Sequence, residues 1–589
     1  MQLQKPPLPI IPPIWAQSRQ EVCESFDYFR SYQSGVYFSN DIVKGYLLGG
    51  SPASRDIFHD KGRLIISHGG GKAESILDYR RVGPARFQQA QDQEVTDKSV
   101  RALLKNYTNR RPLVLLVDDK YALFPFNLGA SGYTYVVLGF YWISHAWAEY
   151  QPASNGCRRV VRWKFAFRWC GPDDPWWTAS KKEGIILDAV TGEFLNFSPS
   201  TSSQPLSRSS SSTAPNDITT MTCDVCSKKS PVIYSQGWMC LNPSCSSFWS
   251  LRGREPDQLD YDAVFIRPVA AEFRGLPDLR PGKPVQTIDH ITTSYAFSKG
   301  WHCEKCGRLS TRFKWEHWEC SNCHSIHKVP GRLRVAKEFW HQRPSTEFLH
   351  SHIGKHSGLI HKLPHLCSPS SEVRDILQHN VLTLMLTSCR GKIHLILGTP
   401  LANKQADEIF RQYQEQADKG ELLLRRYPLT ANKLRGTFLT NYFSQNSGEP
   451  YKYVGGTGNT VPFDRAPSSV CGALALIKER SRLALQIDIP FNEILSAAYM
   501  ERQKMSFHSD SERGLGPVVA SLSLGSAALM HFRPRAASKK TKQLAIVLTL
   551  IIRHGDVLIM EGDGVQKYYE HTVIPMNFRI AATARCIGT

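Results

Sequence analysis

The chain has no apolar run long enough to cross a bilayer. Its longest, "LAIVLTLII" (544–552) and "YTYVVLGFYWI" (133–143), stop well short of the roughly 20 residues a spanning helix needs. Nor does it begin with the charged start and apolar helix of a secretory signal, since "MQLQKPPLPIIPPIW" is proline-rich instead. Both absences point to a soluble, intracellular protein. Acid is scarce relative to base, with 52 Asp and Glu against 72 Lys and Arg and a net charge of +20. Such a field favours polyanions, nucleic acid first, although a merely solvated basic surface gives the same total.

What is present is the composition of an ordinary globular protein, 41% hydrophobic and 21% charged. At 589 residues it is too long for one core, so several domains are expected. Residues 1–36 read as a proline-containing, disordered tail. Residues 37–197 read as a strand-rich domain with six tryptophans between Trp142 and Trp177. Within it "VRWKFAFRW" alternates with period two: Val161, Trp163, Phe165, Phe167 and Trp169 on one side, Arg162, Lys164 and Arg168 on the other. The pattern describes a half-buried strand whose cationic face is either solvated or a nucleic-acid contact.

Residues 198–220 form a Ser/Pro/Thr linker with too little apolar surface to fold. A cysteine cluster at 221–250, a connecting segment at 251–299, a second cluster at 300–330 and another connecting segment at 331–379 follow. Residues 380–589 form the last domain. A strand at "KIHLILG" precedes a helix over 402–419, in which Ala402, Ala406, Ile409, Phe410, Tyr413 and Ala417 recur at helical spacing and Gly420 stops it. From about 430 onward, short strand-like runs suggest a sandwich or barrel.

Eight of the fifteen cysteines sit in two clusters. Cys223-x2-Cys226 precedes Cys240-x4-Cys245, and Cys303-x2-Cys306 precedes Cys320-x2-Cys323, each with thirteen residues between its pairs. Each places a tryptophan, Trp238 or Trp318, two residues before its third cysteine. Paired cysteines in an intracellular chain imply metal rather than disulfides, and four thiolates suit a closed tetrahedral Zn²⁺ site. Two structural zincs in ribbon-like modules are expected, with no open position for catalysis.

"FHSDSERGLG" (507–516) is unusually polar for its apolar surroundings. His508 and Asp510, two apart, project the same way from a strand and supply two legs of a two-His-one-carboxylate facial triad, the donor set of non-haem Fe(II). The third leg has three candidates: His531, His554 and His571. Arg579 and Arg585 are six apart, so a strand puts both guanidiniums on one face, suited to a dicarboxylate.

The stretch "FNEILSAAYMERQKMSFHSDSERGLGPVVASLSLGSAALMHFR", then "HGDVLIMEG", a histidine and R-x5-R, resembles the core of the AlkB-like family of 2-oxoglutarate- and Fe(II)-dependent dioxygenases. The resemblance covers roughly the last 150 to 200 residues. It implies a C-terminal double-stranded β-helix, or jelly roll, within a multidomain, mainly β protein. It assigns iron to His508, Asp510 and His571 and the far carboxylate of 2-oxoglutarate to Arg579. Arg585 falls near the chelating end, and Tyr499 and Thr583 fall among the cosubstrate contacts. Ala497 and Ala581 stand where the family carries amides, and Ser511 replaces an acidic residue common among nucleic-acid repair members.

The activity implied is oxidative demethylation or hydroxylation of modified bases in DNA or RNA, which makes the nucleus the preferred location. A protein hydroxylase or demethylase of the same fold, or an inactive nucleic-acid-binding module, are the alternatives. The loop "FRPRAASKKTKQ" offers Arg533, Arg535, Lys539, Lys540 and Lys542 to a phosphate backbone, unless it is only a solvated hairpin.

Overall fold

The computed structural model describes residues 5–50, 52–70, 73–76, 86–89, 91–152, 159–178, 218–254, 256, 258–269, 273–284, 292–329, 333–340, 372–376, 379–385, 391–399, 402–429, 435–450, 457–510, 514–535 and 545–588. Residues 198–217 of the Ser/Pro/Thr linker, Lys539, Lys540, Lys542 and Ser511 lie outside them, whereas Thr220, placed in the linker, opens the strand Thr220–Thr222.

The first domain is an eight-stranded sheet. The strands Val36–Ser39, Ile42–Leu48, Leu113–Asp118, Tyr135–Pro152, Arg159–Trp169, Leu64–His68 and Ile57–His59 lie in that order, and Trp15–Ala16 pairs with Tyr135–Pro152. The helix Lys98–Thr108 buries Val100, Ala102 and Leu103 on one face. The opposite face is covered by the first cysteine cluster. Trp147, Ala148, Val161 and Ala166 share a core with Met239, Trp249 and Phe265.

That cover corrects the reading of Arg162, Lys164 and Arg168 as an outward cationic face. The three are buried, at 1%, 0% and 3% exposure. Phe165 and Phe167 keep the expected inner face, but Val161 packs with the second layer, which lies where solvent was expected. Lys164 is ion-paired with Asp56, lies 3.8 Å from Glu149 and donates to Ser54 O at 2.6 Å. Arg168 donates to the carbonyls of Phe265 and Arg267 at 2.7 and 2.8 Å. Lys164 is held inside the first domain and Arg168 ties the sheet to the segment after the first cysteine cluster, so neither is a contact for a polyanion.

The expected N-terminal tail is also corrected. Ser18 and Glu21 form a reciprocal capping box on the helix Arg19–Ser25. Ile14, Trp15, Ala16, Val22, Phe26 and Phe29 are buried, because they fill the face of the first sheet beside Leu309 of the second cysteine cluster. Trp15 Nε1 donates to Cys306 O at 2.7 Å, and Arg308 pairs with Glu21 at 2.8 Å.

The last domain stacks two sheets. The larger has nine strands: Glu372–Ile376, His379–Met385, Lys392–Leu397, Val557–Glu561, Leu515–Gly525, Arg579–Ile587, Glu493–Tyr499, Phe443–Gly448 and Thr460–Val461. The smaller has Met505–His508, Tyr569–Pro575, Ala528–Pro534 and Leu548–Ile552. Leu395, Val519, Leu558 and Met560 of one sheet pack against Met530, Phe532 and Leu550 of the other. The result is the jelly-roll sandwich expected from the sequence.

The outer face of the large sheet is backed by two helices. Lys404–Asp418 buries Ala406, Ile409, Phe410, Tyr413 and Ala417, the periodic residues expected, and Gly420 at φ 75 follows its end. Ser468–Leu485 is a second helix inside a region read as strands throughout. Trp315 of the second cysteine cluster joins this core against Phe443 and Phe578. No helix among the described residues is long and apolar enough to cross a membrane.

Candidate metal and cosubstrate centre

Strand register builds the centre. Met505–His508 pairs antiparallel with Tyr569–Pro575 so that His508 lies directly opposite His571, their ring centroids 4.3 Å apart. Asp510 follows two residues after His508 and puts its Oδ2 3.7 Å from His571 Nε2. One donor atom from each of the three lies within 4.8 Å of the others. His531 and His554 go elsewhere: His531 Nδ1 meets Thr549 Oγ1 at 2.8 Å, while His554 Nε2 meets Asp407 at 2.9 Å.

Electrostatics prepare this trio for a cation. Burial lowers the His571 pKa to about 3, helped by His508, so its imidazole is neutral with a lone pair to give. Burial alone would raise Asp510, but Arg585 and the two histidines outweigh it and hold the carboxyl at about 2. Two imidazoles and one ionised carboxylate are the donor chemistry that fits Fe(II) and leaves positions for a cosubstrate and O₂.

The large sheet faces this trio. Arg579, Ala581, Thr583 and Arg585 alternate on its inner face, as the even spacing requires. Arg579 is 2% exposed, donates through Nε to Ser523 Oγ at 3.0 Å, and sits 5.9 Å from the Tyr499 ring. Burial lowers its pKa to about 10, leaving it charged at neutral pH. Burial likewise raises the Tyr499 phenol to about 12, keeping it a donor.

Ala497 and Ala581 lie opposite each other on adjacent strands and pack with Tyr442 and Tyr499, which makes this part of the floor apolar. Thr583 Oγ1 contacts Ser521 Oγ at 3.0 Å. Arg585 spans Asp510 and Glu493, 3.2 Å from each. Sequence reasoning missed Glu493, Ser523 and Tyr442. Glu493 was within reach, because it lies six residues before Tyr499 and an even step keeps it on the same face.

Each cysteine cluster closes on itself. Cys223–Cys245 and Cys226–Cys240 sulfurs are 3.8 and 3.7 Å apart, and Cys303–Cys323 and Cys306–Cys320 are each 3.5 Å apart. About 2.3 Å Zn–S bonds in a tetrahedron put thiolates about 3.8 Å apart, so both sets fit zinc. The paired tryptophans do the same job in both: Trp238 donates to Ser230 O and Trp318 to Lys299 O.

Of the basic loop, Arg533 is ion-paired with Glu570 at 2.8 Å and lies 3.8 Å over the Phe507 ring, while Arg535 is exposed.

No curated protein matches the sequence. Among solved structures, that of OsALKBH1 matches at 16% identity and a TM-score of 0.21, covering 33% of this chain and 97% of that one. Residues 394–583 match the family model described as the 2OG-Fe(II) oxygenase superfamily. Over that range the chain is similar to this superfamily, and the matched residues include His508, Asp510, His571 and Arg579.

Proposed function

We propose that the C-terminal domain is an Fe(II)- and 2-oxoglutarate-dependent dioxygenase that oxidises N-alkylated bases in DNA or RNA. The observation that carries the oxygenase reading is the convergence of His508, Asp510 and His571 from adjoining strands beneath two buried arginines. His508, Asp510 and His571 would hold the iron. Iron, 2-oxoglutarate and O₂ together supply oxidation of a C–H bond with release of succinate and CO₂, and an N-methyl group so hydroxylated leaves as formaldehyde.

The chain's residues bind and orient. Arg579, held by Ser523, would pair with the far carboxylate of the cosubstrate, and Tyr499 beside it would donate its phenolic proton. Thr583 lies between the arginines on the same face, and the apolar Ala497–Ala581 floor excludes water. The net charge of +20 supports a nucleic-acid substrate, and a duplex base must be flipped out to reach so buried a centre.

The test is anaerobic Fe(II) and 2-oxoglutarate binding by wild type and Asp510→Ala, followed by succinate release over a panel of methylated DNA and RNA oligonucleotides. Wild type is expected to bind both and Asp510→Ala neither. Absence of iron binding and of uncoupled succinate in wild type sinks the enzyme reading. Turnover on peptides but on no oligonucleotide transfers the substrate to protein.

A further inference from the structure

Among the described residues, Glu493 is the buried carboxylate on the inner face of the large sheet that the mechanism above leaves without work. It is 0% exposed and lies opposite Arg585 in the register of adjacent strands. Its Oε2 accepts from Arg585 Nη1 at 3.2 Å. The same guanidinium donates through Nη2 to Asp510 Oδ1, also at 3.2 Å. The other Asp510 oxygen, Oδ2, is the one turned to His571. The order Glu493–Arg585–Asp510–His571 is therefore a line of contacts that starts on the strand beside that of Arg585, in the large sheet, and ends on the small sheet.

We propose that Glu493 is a positioning residue for the metal centre, acting through Arg585 on Asp510; the proposal rests on the dioxygenase reading. A guanidinium is a rigid fork and binds a carboxylate best with two parallel hydrogen bonds. Free to choose, Arg585 takes both oxygens of Asp510 and draws that carboxylate away from the metal. Glu493 occupies one arm of the fork, so Arg585 engages Oδ1 alone and Oδ2 stays on the histidine side. Its negative charge also balances that of Arg585 beside the buried Asp510 and His571, where unbalanced charge is most unfavourable.

The experiment uses the full chain and reads binding rather than turnover. Anaerobic Fe(II) titration, and the visible absorption that appears when 2-oxoglutarate joins the iron, are measured for wild type, Glu493→Gln, Arg585→Met and the double variant. Glu493→Gln is expected to weaken Fe(II) binding by about 10- to 100-fold, the usual effect of removing a group that orients a metal ligand. In the Arg585→Met background the same change is expected to add less than about threefold, because its route to Asp510 is already gone. Should Glu493→Gln fail to fold, Glu493→Asp retains the charge, shortens the reach, and is expected to weaken Fe(II) by at least about threefold.

Wild-type Fe(II) affinity in the Glu493 variants overturns the proposal. So do effects of Glu493→Gln and Arg585→Met that multiply independently. A wild type that binds no Fe(II) overturns the dioxygenase reading itself, a different result from a wild type that binds while Glu493→Gln matches it.

Discussion

Single residues here carry chemistry only where a neighbouring strand completes them. Lys164 is the clearest case, since its ammonium is enclosed by Asp56 and Glu149 with no exposure. Removing one partner of a buried ion group leaves the others uncompensated, at about 3–5 kcal/mol. Lys164→Ala is expected to lower the urea midpoint accordingly while oligonucleotide affinity stays unchanged; weaker nucleic-acid binding at unchanged stability would contradict its interior role. Arg579→Met makes the opposite kind of prediction. It is expected to raise the 2-oxoglutarate dissociation constant by about 10- to 100-fold, matching the roughly 1.5–3 kcal/mol of a charge-assisted contact, with Fe(II) affinity retained. Equilibrium titration of both ligands distinguishes this from a general collapse of the site.

Among elements, local pattern was readable and layering was not. The H-x-D spacing, the even step from Arg579 to Arg585 and the helical repeat from Ala406 to Ala417 each follow from backbone periodicity, and each is realised. The "VRWKFAFRW" strand shows the limit. Phe165 and Phe167 follow its period of two, but no local signal says that Trp249 and Phe265, far along the chain, cover the other side. The helix Ser468–Leu485 was hidden for a related reason: it buries Ser469, Ser481 and Arg480 with its apolar residues, blurring the stripe.

His145, on the neighbouring strand, reports on that covering layer. Burial, and then Arg168, lower its pKa from 6.5 to about 4. An unfolded chain takes up this proton first, so the associated stability is full above pH 6.5 and is lost as pH falls from 6.5 to about 4. Urea midpoints across that window are expected to fall in wild type and less steeply in His145→Phe, which keeps the ring beside Phe265. Cys240→Ser is expected to reduce bound zinc from two equivalents to one, counted by atomic emission, and to loosen the same layer.

At the scale of the molecule, the modules are locked rather than strung together. Trp315 of the second cysteine cluster sits in the oxygenase core and donates to Asp418 at 3.0 Å. Arg312, fully enclosed with its pKa lowered to about 9 by burial, donates to Phe297 O and stacks 5.4 Å from the Trp318 ring. Arg426 of the last domain pairs with Glu24 of the first helix at 2.8 Å, and Arg435 pairs with Asp119. Trp15→Ala is therefore expected to destabilise more than its own strand, by about 3–5 kcal/mol. Hydrogen exchange should quicken in the second cysteine cluster as well as in the first sheet; quickening confined to the first sheet would show that the modules are independent.

The contact of Gln20 with the Leu439 backbone spans 419 positions of sequence. A ribosome adding roughly 5–20 residues per second needs on the order of half a minute to make that partner. Through that interval the first helix and the apolar face around Trp15 have emerged without the surface that finally clasps them. This part of the fold is thus closed by segments 419 positions apart, and the earlier of the two waits for the later before its apolar face is covered.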